Sequence, residues 1–140
     1  MNINNNRNSA HKEIDRVFKV LLPTRNMTER LEQVALSHRM LDTMKDGGIA
    51  LCDAGTGIGK TYAYLVAGAV FSRFRATSGL AFCPILISTS SIALQNAVRD
   101  EYLPLLSDLL TADGIITEPL QAVIHKGKSH YVCDERLERR

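Results

Sequence analysis

Apolar residues along the chain form two kinds of pattern, and the two kinds alternate. Residues 26–45 and 60–75 carry apolar side chains at three- and four-residue spacing, which predicts amphipathic helices. Three shorter segments, 49–53, 80–89 and 121–125, predict strands, and the middle of the second is apolar without alternation, as in a strand covered on both faces. Alternating strands and helices predict an α/β fold with a parallel sheet and flanking helices.

The first predicted helices are bounded by polar and turn-forming residues. Residues 1–9 are rich in asparagine and predict a disordered leader, and residues 10–22 predict a short helix that Pro23 ends. Asn26, with Glu29 three positions later, matches a variant of the capping box before the next helix. One face of that helix is expected to contain Leu31, Val34, Ala35, Leu41 and Met44. Its end is expected at Asp46, Gly47 and Gly48.

In the second half of the chain, two serines precede a segment that is predicted to be a further helix. Ser90 or Ser91 is expected to cap a helix that runs to Tyr102, where Pro104 interrupts it, and residues 112–114 form a turn. We therefore expect a leader with a short helix over residues 1–25 and one domain over residues 26–140.

Length and composition describe an ordinary globular chain. The 140 residues suffice for one domain, 45% of them are hydrophobic, and no apolar run approaches the ~20 residues of a membrane span, so we expect a soluble protein. A net charge of +2 by itself predicts no nucleic-acid partner. Residues 126–140 carry five basic and three acidic groups, which is weak support for contact with a polyanion.

The three cysteines indicate a reducing compartment rather than a disulfide framework. The polar start of the chain lacks the apolar core of a secretory signal, so we expect a cytoplasmic protein. An odd cysteine count argues against paired disulfides. Cys52 and Cys83 lie within the predicted strands 49–53 and 80–89 and are interpreted as small buried apolar residues. Cys133 lies outside the predicted strands, in a segment that is described below.

Residues 54–61, with the sequence AGTGIGKT, lie between a predicted strand and a predicted helix. Closely spaced glycines let backbone N–H groups converge on phosphate oxygens, and the helix N-terminus adds its dipole. Lys60 supplies a positive charge for the β- and γ-phosphates, and the Thr61 hydroxyl is suited to Mg²⁺. The pattern predicts the P-loop of a nucleoside triphosphatase. Its expected nucleotide-binding residues are Ala54, Gly55, Thr56, Gly57, Ile58, Gly59, Lys60, Thr61 and Tyr62, with Lys60 and Thr61 as the catalytic pair.

Four segments in one order, over about residues 26–137, resemble the superfamily-two DNA helicases of the DinG/XPD type. The first, RLEQ at 30–33, is similar to the family's R-x-x-Q element. The resemblance implies that Gln33 binds the adenine edge, since its amide both donates and accepts. By spacing alone, a solvent-facing helix residue is the more common interpretation of Gln33, and its place in the ordered set of segments is what favours the adenine role.

The second and third segments extend the resemblance. Residues 53–65 are similar to the family's E-A-G-T-G-T-G-K-[ST]-x-A-Y-L, with Asp53 in place of glutamate. Residues 87–96 resemble its S-T-x-T-x-x-L-Q-x-Q segment, with Ser91 in place of threonine. Hydroxyl and N–H groups at a helix start suit DNA phosphates, although a serine there is also an ordinary N-cap. The resemblance implies DNA contacts at Thr89, Ser90, Ser91 and Gln95.

The fourth segment, KGKSHYVC at 126–133, is similar to the family's G-R-x-N-Y-x-C. The resemblance implies that Cys133 is the first of four thiolate ligands of an iron–sulfur cluster and that residues 126–140 enter that insertion. No cysteine follows Cys133, so the chain itself does not supply four ligands. CRISPR-associated DinG-like relatives also lack a full cysteine set. A competing interpretation makes Asp134 and Glu135 the Mg²⁺-holding acidic pair of a P-loop ATPase, but the segment before them is too polar for a buried strand.

The resemblance implies the ATP-binding, N-terminal part of a helicase motor domain of the RecA-like type. Its cofactors would be ATP and Mg²⁺, its partner single-stranded DNA, and its larger assembly a CRISPR or DNA-repair complex. The whole protein would couple ATP hydrolysis to DNA unwinding, whereas this chain alone is expected to be inactive. Two alternatives remain open: a compact P-loop ATPase that remodels or loads a partner protein, and a non-enzymatic nucleotide- or DNA-binding fragment.

Overall fold

The computed structural model of the chain describes residues 3–127, 130, 131 and 138. Its regular structure within this range is helical throughout. The α-helices are α1 (Ile3–Arg16), α2 (Leu31–Asp46), α3 (Lys60–Thr77), α4 (Ile92–Ala97) and α5 (Leu103–Ala112).

The expected α/β fold with a parallel, RecA-like sheet is wrong, because the described part of the chain contains no strand. The segments 49–53, 80–89 and 121–125 are irregular, and several of their apolar side chains face solvent. Leu51 is 97% exposed and Leu86 is 92% exposed. A strand exists only when a second segment pairs with its N–H and C=O groups, and these three segments are not paired with one another. Their apolar composition alone could not supply that pairing.

The core is built from helices instead, with α3 at its centre. Both α1 and α2 pack against α3, and α5 adds Leu106 and Leu110, which are fully buried. At Gly68 of α3, an added Cβ would lie 3.4 Å from the side chain of Ile85, so the glycine allows the segment 80–89 to approach this helix closely. Burial of this apolar cluster removes side chains from water, which is the main force that stabilises the fold. Its largest fully buried apolar side chains are Phe18, Ile14, Leu41, Leu106, Leu110, Val17, Val66 and Val70.

The N-terminal segment is more helical than expected. Helix α1 begins at Ile3, so a disordered leader over residues 1–9 is contradicted from residue 3 onward. The chain continues through a π-helical turn, Val17–Leu21, into a 3₁₀ turn, Leu22–Arg25. Pro23 lies at the start of that turn, where a missing N–H costs nothing. Helical structure therefore continues past the proline.

Helix α2 begins later than its sequence pattern predicts. Asn26 has a φ of 60° and ends the preceding 3₁₀ turn, so the expected capping box with Glu29 does not form. The residue before the helix, Arg30, makes no side-chain cap bond. The C-terminal end is as predicted, since Gly47 adopts a φ of 67° and its N–H bonds the carbonyl of Thr43.

The buried face of α2 differs from the expected one. Leu31 is 76% exposed and Ala35 is exposed, whereas Val34, Leu36 and Leu41 are buried as apolar residues. The helix is thus rotated relative to the prediction, because its partners α1 and α3 determine which stripe is covered.

Helices α4 and α5 form one helical path in which Pro104 is accommodated. Ser91 caps α4 as predicted, its hydroxyl accepting from the N–H of Leu94. A π-helical turn, Val98–Tyr102, joins the two helices, and the N–H of Leu103 bonds the carbonyl of Val98. This wider turn makes room for the proline ring at the start of α5, so Pro104 does not break the path. The predicted turn at residues 112–114 is present, with a φ of 75° at Gly114.

Two further expectations concern exposure. Cys52 and Cys83 are exposed rather than buried, because the segments that carry them do not enter a sheet. In the portion of the chain that the structure describes, no helix combines the length and the apolar character needed to cross a bilayer.

Candidate nucleotide site

The glycine-rich loop, residues 54–59, leads directly into α3, an 18-residue helix. Gly57 and Gly59 have φ values of 86° and 84°, in the left-handed region that favours glycine. Gly59 is the N-cap of α3, and its carbonyl accepts from the N–H of Ala63 at 3.3 Å. The first N–H groups of any α-helix lack partners within the helix. The loop therefore ends where unpaired donors and the positive end of the helix dipole meet.

Lys60 folds back over the loop. Its Nζ donates to the carbonyl oxygens of Ala54 at 2.9 Å and of Gly55 at 2.7 Å. The side chain is exposed, so these bonds hold the ammonium group at the loop surface. Thr61 follows in the first turn of α3 and is half-buried. The structure thus brings the predicted catalytic pair to the loop that carries the glycines.

Gln33 reaches the same loop from α2. The side chain is 6% exposed, and its Nε2 donates to the carbonyl oxygen of Gly59 at 2.7 Å. The interpretation of Gln33 as a solvent-facing residue is therefore wrong. A methyl group added at Gly59 would lie 2.1 Å from Gln33 Nε2, so the contact depends on glycine at that position. The adenine-binding role of Gln33 stays a prediction.

The remaining predicted nucleotide-binding residues are less closely joined. Thr56 and Gly57 are exposed at the loop surface, and Ile58 is half-buried. The ring of Tyr62 packs edge-on against Tyr102, with 5.4 Å between ring centroids. Burial raises the pKa of the Tyr62 hydroxyl, and the charges of Tyr102 and Glu101 raise it further. Tyr62 is therefore engaged with the turn that precedes α5.

The predicted DNA-binding residues form a local cap at the start of α4. The hydroxyl of Thr89 accepts from the N–H of Ser91 at 3.2 Å, and the amide of Gln95 donates to the carbonyl of Thr89 at 3.4 Å. Gln95 Oε1 is buried without a hydrogen-bond partner. Ser90 is exposed. Three of the four residues are thus brought together, and their contact with DNA stays a prediction.

The predicted metal-binding residues are only partly covered by the structure. Cys133, Asp134 and Glu135 lie outside the described residues. Among the residues that are described, no group of three or more His, Cys, Asp and Glu side chains is arranged to hold a metal ion. The chemistry of the loop fits Mg²⁺ in combination with a nucleotide, because Thr61 offers one hydroxyl and phosphates supply further oxygen ligands.

Sequence reasoning missed a polar cluster between α1 and α2. His11 and His38 stack with 4.8 Å between ring centroids, and each ring nitrogen has a partner. A signal was present, because both helices carry a histidine four residues before an aspartate, namely His11 with Asp15 and His38 with Asp42. That spacing places the two residues on one helix face.

Comparison with known proteins finds several curated relatives that share 30–35% of aligned residues with this chain. The 3'-5' exonuclease DinG of Bacillus subtilis strain 168 is 33% identical over 106 residues, which is 76% of this chain and 10% of that protein. The ATP-dependent DNA helicase YoaA of Escherichia coli strain K12 is 34% identical over 121 residues, or 86% of this chain and 15% of that protein. The chain is related to the DinG-type helicases.

The DinG relationship covers most of this chain but little of each relative. The ATP-dependent helicase DinG of Mycobacterium tuberculosis strain H37Rv is 30% identical over 129 residues, which is 92% of this chain and 18% of that protein. The chain thus spans between a tenth and a fifth of the length of these relatives. No family model and no solved structure matches the chain.

Proposed function

We propose that this chain binds ATP together with Mg²⁺ at the glycine-rich loop, as the ATP-binding part of a DinG-type ATP-dependent DNA helicase. The observation that carries the proposal is the joining of a glycine loop, with Gly57 and Gly59 at positive φ, to the N-terminus of α3, with Lys60 bonded across it. The names of the relatives support ATP as the nucleotide and DNA as the substrate.

Each residue of the loop has a distinct task in this proposal. Lys60 exchanges the carbonyl oxygens of Ala54 and Gly55 for the β- and γ-phosphate oxygens, which are better partners because they are charged. The N–H groups of the loop and of the first turn of α3 bind further phosphate oxygens. Thr61 places its hydroxyl as a ligand for Mg²⁺, which neutralises phosphate charge when bound.

Gln33 is proposed to bind the adenine base while it holds the loop. Its Nε2 already donates to Gly59, which leaves the amide oxygen to accept a hydrogen bond from the 6-amino group of adenine. Guanine carries a carbonyl oxygen at that position, so the same contact would bring two acceptors together. The proposal therefore includes a preference for ATP over GTP.

The activity of the whole protein is proposed from the relatives. ATP hydrolysis would drive translocation on single-stranded DNA, with phosphates contacted by Thr89, Ser90, Ser91 and Gln95 and by the basic segment 126–140. Such contacts are dominated by charge, so DNA affinity should fall steeply as salt rises.

The test is nucleotide binding by the parent chain and by Lys60→Ala, measured by calorimetry with Mg-ATP. We expect ATP affinity to drop at least about tenfold, since a hydrogen bond to a charged group contributes about 1.5–3 kcal/mol. The matched control is Lys12→Ala, which removes the same charge from an exposed position on α1 and should bind as the parent does. Equal ATP affinity in the parent chain and in Lys60→Ala would contradict the proposal.

ATP hydrolysis, measured on the parent chain and on Glu135→Gln, separates the proposal from the compact ATPase. Phosphoryl transfer needs a water-orienting carboxylate, and an arginine finger alone accelerates it about a thousandfold or more. The resemblance puts both in other parts of a helicase, so we expect ATP binding with background hydrolysis by the 140-residue chain. Turnover that is lost in Glu135→Gln would instead favour the compact ATPase.

A further inference from the structure

The stacked histidines join α1 to α2 through an unbroken line of hydrogen bonds. Asp42 Oδ1 lies 2.8 Å from His11 Nε2, His11 Nδ1 lies 2.6 Å from His38 Nδ1, and His38 Nε2 lies 3.3 Å from Asp15 Oδ1. Asp15 in turn pairs with Lys19 Nζ at 3.1 Å. The two helices cross so that each histidine meets the aspartate of the opposite helix.

The number of protons in this line follows from its geometry. A carboxylate only accepts hydrogen bonds, so both Nε2 atoms must carry a proton. The contact between the two Nδ1 atoms has one donor and one acceptor, so it holds one proton and not two. The two rings therefore share three protons, which makes one imidazolium and one neutral imidazole.

We propose that His11 and His38 form a proton-sharing clasp that fastens α1 to α2 and opens when acidification delivers a fourth proton. With four protons, two N–H groups and two positive rings would face each other across 2.6 Å, so the pair must separate. With two protons, one of the three hydrogen bonds loses its donor. The clasp is therefore complete only in the three-proton state.

The charged groups around His11 and His38 include two carboxylates, which favour a single positive charge on the two rings. From α1 and its π-helical extension come Asp15 and Lys19, and from α2 comes Asp42. Burial works to raise the pKa of Asp15, but the hydrogen bonds from Lys19 and His38 outweigh it, and the pKa of Asp15 is lowered. Asp15 therefore stays ionised beside the ring it faces.

Helix α3, which packs against both helices, engages a different group. Its Arg73 pairs with Glu13 of α1, and Glu13 also accepts from the hydroxyl of Ser9. The positive charge of Arg73 is therefore paired with Glu13 and not with the histidines. The hydrogen-bonded line itself consists of His11, His38 and the carboxylates of Asp15 and Asp42.

Stability should therefore pass through a maximum with pH. In acid the unfolded chain binds four protons on these residues and the folded chain three, so stability falls as pH falls. In alkali the unfolded chain binds two and the folded chain still three, so stability falls as pH rises. Histidines in an unfolded chain change charge near pH ~6.5, so the acid effect is expected below that pH and the alkaline effect above it.

The experiment compares urea unfolding of the parent chain and of the double variant His11→Phe/His38→Phe from pH 5 to 8 at constant ionic strength. Phenylalanine keeps the stacked ring contact and removes every titrating nitrogen. The side chains of Asp15 and Asp42 are 39% and 47% exposed, so both carboxylates remain solvated in the variant. On each side of its maximum, the parent should lose up to about tenfold in its folding equilibrium constant per pH unit relative to the variant. The matched control, His125→Gln, changes an exposed histidine and should keep the parent profile.

A second measurement on the parent chain does not depend on how the variant folds. Ring ¹⁵N resonances should show one proton shared between the Nδ1 atoms of His11 and His38, a signature that His125 should lack. Parallel pH profiles for parent and double variant would overturn the clasp. Resonances that show no proton shared between the two Nδ1 atoms would overturn it as well.

Discussion

At the scale of single residues, the glycine-rich loop is held by side chains from two helices. Gln33 of α2 bonds the carbonyl of Gly59, and Lys60 of α3 bonds the carbonyls of Ala54 and Gly55. Loop carbonyls that would otherwise depend on water are thereby paired. The loop conformation consequently depends on residues outside it as well as on its glycines.

The two glycines with positive φ should respond differently to a methyl group. Gly57→Ala meets open space and costs only the backbone strain, about 1–2 kcal/mol, whereas Gly59→Ala also displaces Gln33. We expect Gly59→Ala to lower the free energy of unfolding by about 1 kcal/mol more than Gly57→Ala. Urea unfolding measures both.

A double-variant comparison isolates the cause of that difference. In the Gln33→Ala background the amide is absent, so the two alanine variants should become equally destabilising. A gap that persists in this background would mean that Gln33 is not what distinguishes the two positions.

The proposed adenine contact gives a second residue-scale prediction. Gln33→Ala should reduce the preference for ATP over GTP by about fivefold, since one hydrogen bond contributes about 1 kcal/mol. Competition binding of the two nucleotides measures the ratio. The neighbouring exposed residue offers the control, because Glu32→Ala should leave the ratio unchanged. A parent chain that binds both nucleotides equally would contradict the adenine contact.

At the scale of elements, the helices are tied together by ion pairs as well as by the core. Arg16, at the end of α1, forms a two-point contact with Asp113, in the turn after α5, with N···O distances of 2.6 and 2.5 Å. The hydrogen bond from Arg16 is the main cause that lowers the pKa of Asp113. This contact joins the end of α1 to the turn that follows α5.

The lowered pKa of Asp113 fixes the sign of a pH effect. An aspartate with a lowered pKa stabilises the fold above its unfolded pKa, about 4, and loses that contribution as pH falls through the folded value. Asp113→Asn should therefore lower the melting temperature at pH 7 and have a smaller effect at pH 3. Asp108→Asn, at an exposed position of α5, serves as the control. An equal deficit at both pH values would mean that ionisation of Asp113 contributes nothing.

At the scale of the whole molecule, apolar side chains are divided unevenly between the helical core and the irregular segments. Leu106 is fully buried in α5, whereas Leu51 and Leu86 are almost fully exposed in the segments that the sequence predicts as strands. Large exposed apolar groups are usual on protein surfaces when single and mark contact surfaces when they are contiguous. Because Leu51 and Leu86 remain in contact with water in the folded chain, their contribution to the free energy of unfolding should be small.

Alanine substitutions test this division of the molecule. Leu51→Ala and Leu86→Ala should change the free energy of unfolding by no more than about 0.5 kcal/mol, because no buried contact is lost. Leu106→Ala should cost about 2–5 kcal/mol, as expected for a cavity in a packed core. Denaturant unfolding of the three variants gives the comparison. A loss of several kcal/mol at Leu51 or Leu86 would mean that these segments are buried.

Features confined to one short segment were determined by the sequence itself. The start of α3 at Lys60, the end of α2 at Gly47 and the cap at Ser91 all agree with their local patterns. A helix forms its hydrogen bonds within its own segment, and a cap or a positive φ depends on a few adjacent residues. The relationship to the DinG-type helicases is likewise carried by short motifs and is confirmed by the relatives.

Features that require two distant segments to meet were decided by tertiary structure. Apolar runs became exposed irregular segments because a strand needs a partner that local sequence does not specify. Gln33 is buried and bonded to Gly59 because α2 packs against α3, which its helical spacing alone left undecided. The pairing of His11 with His38 needed α1 and α2 to cross at one register. Each outcome depends on how elements pack, since a side chain's partners are set by the neighbours that cover it.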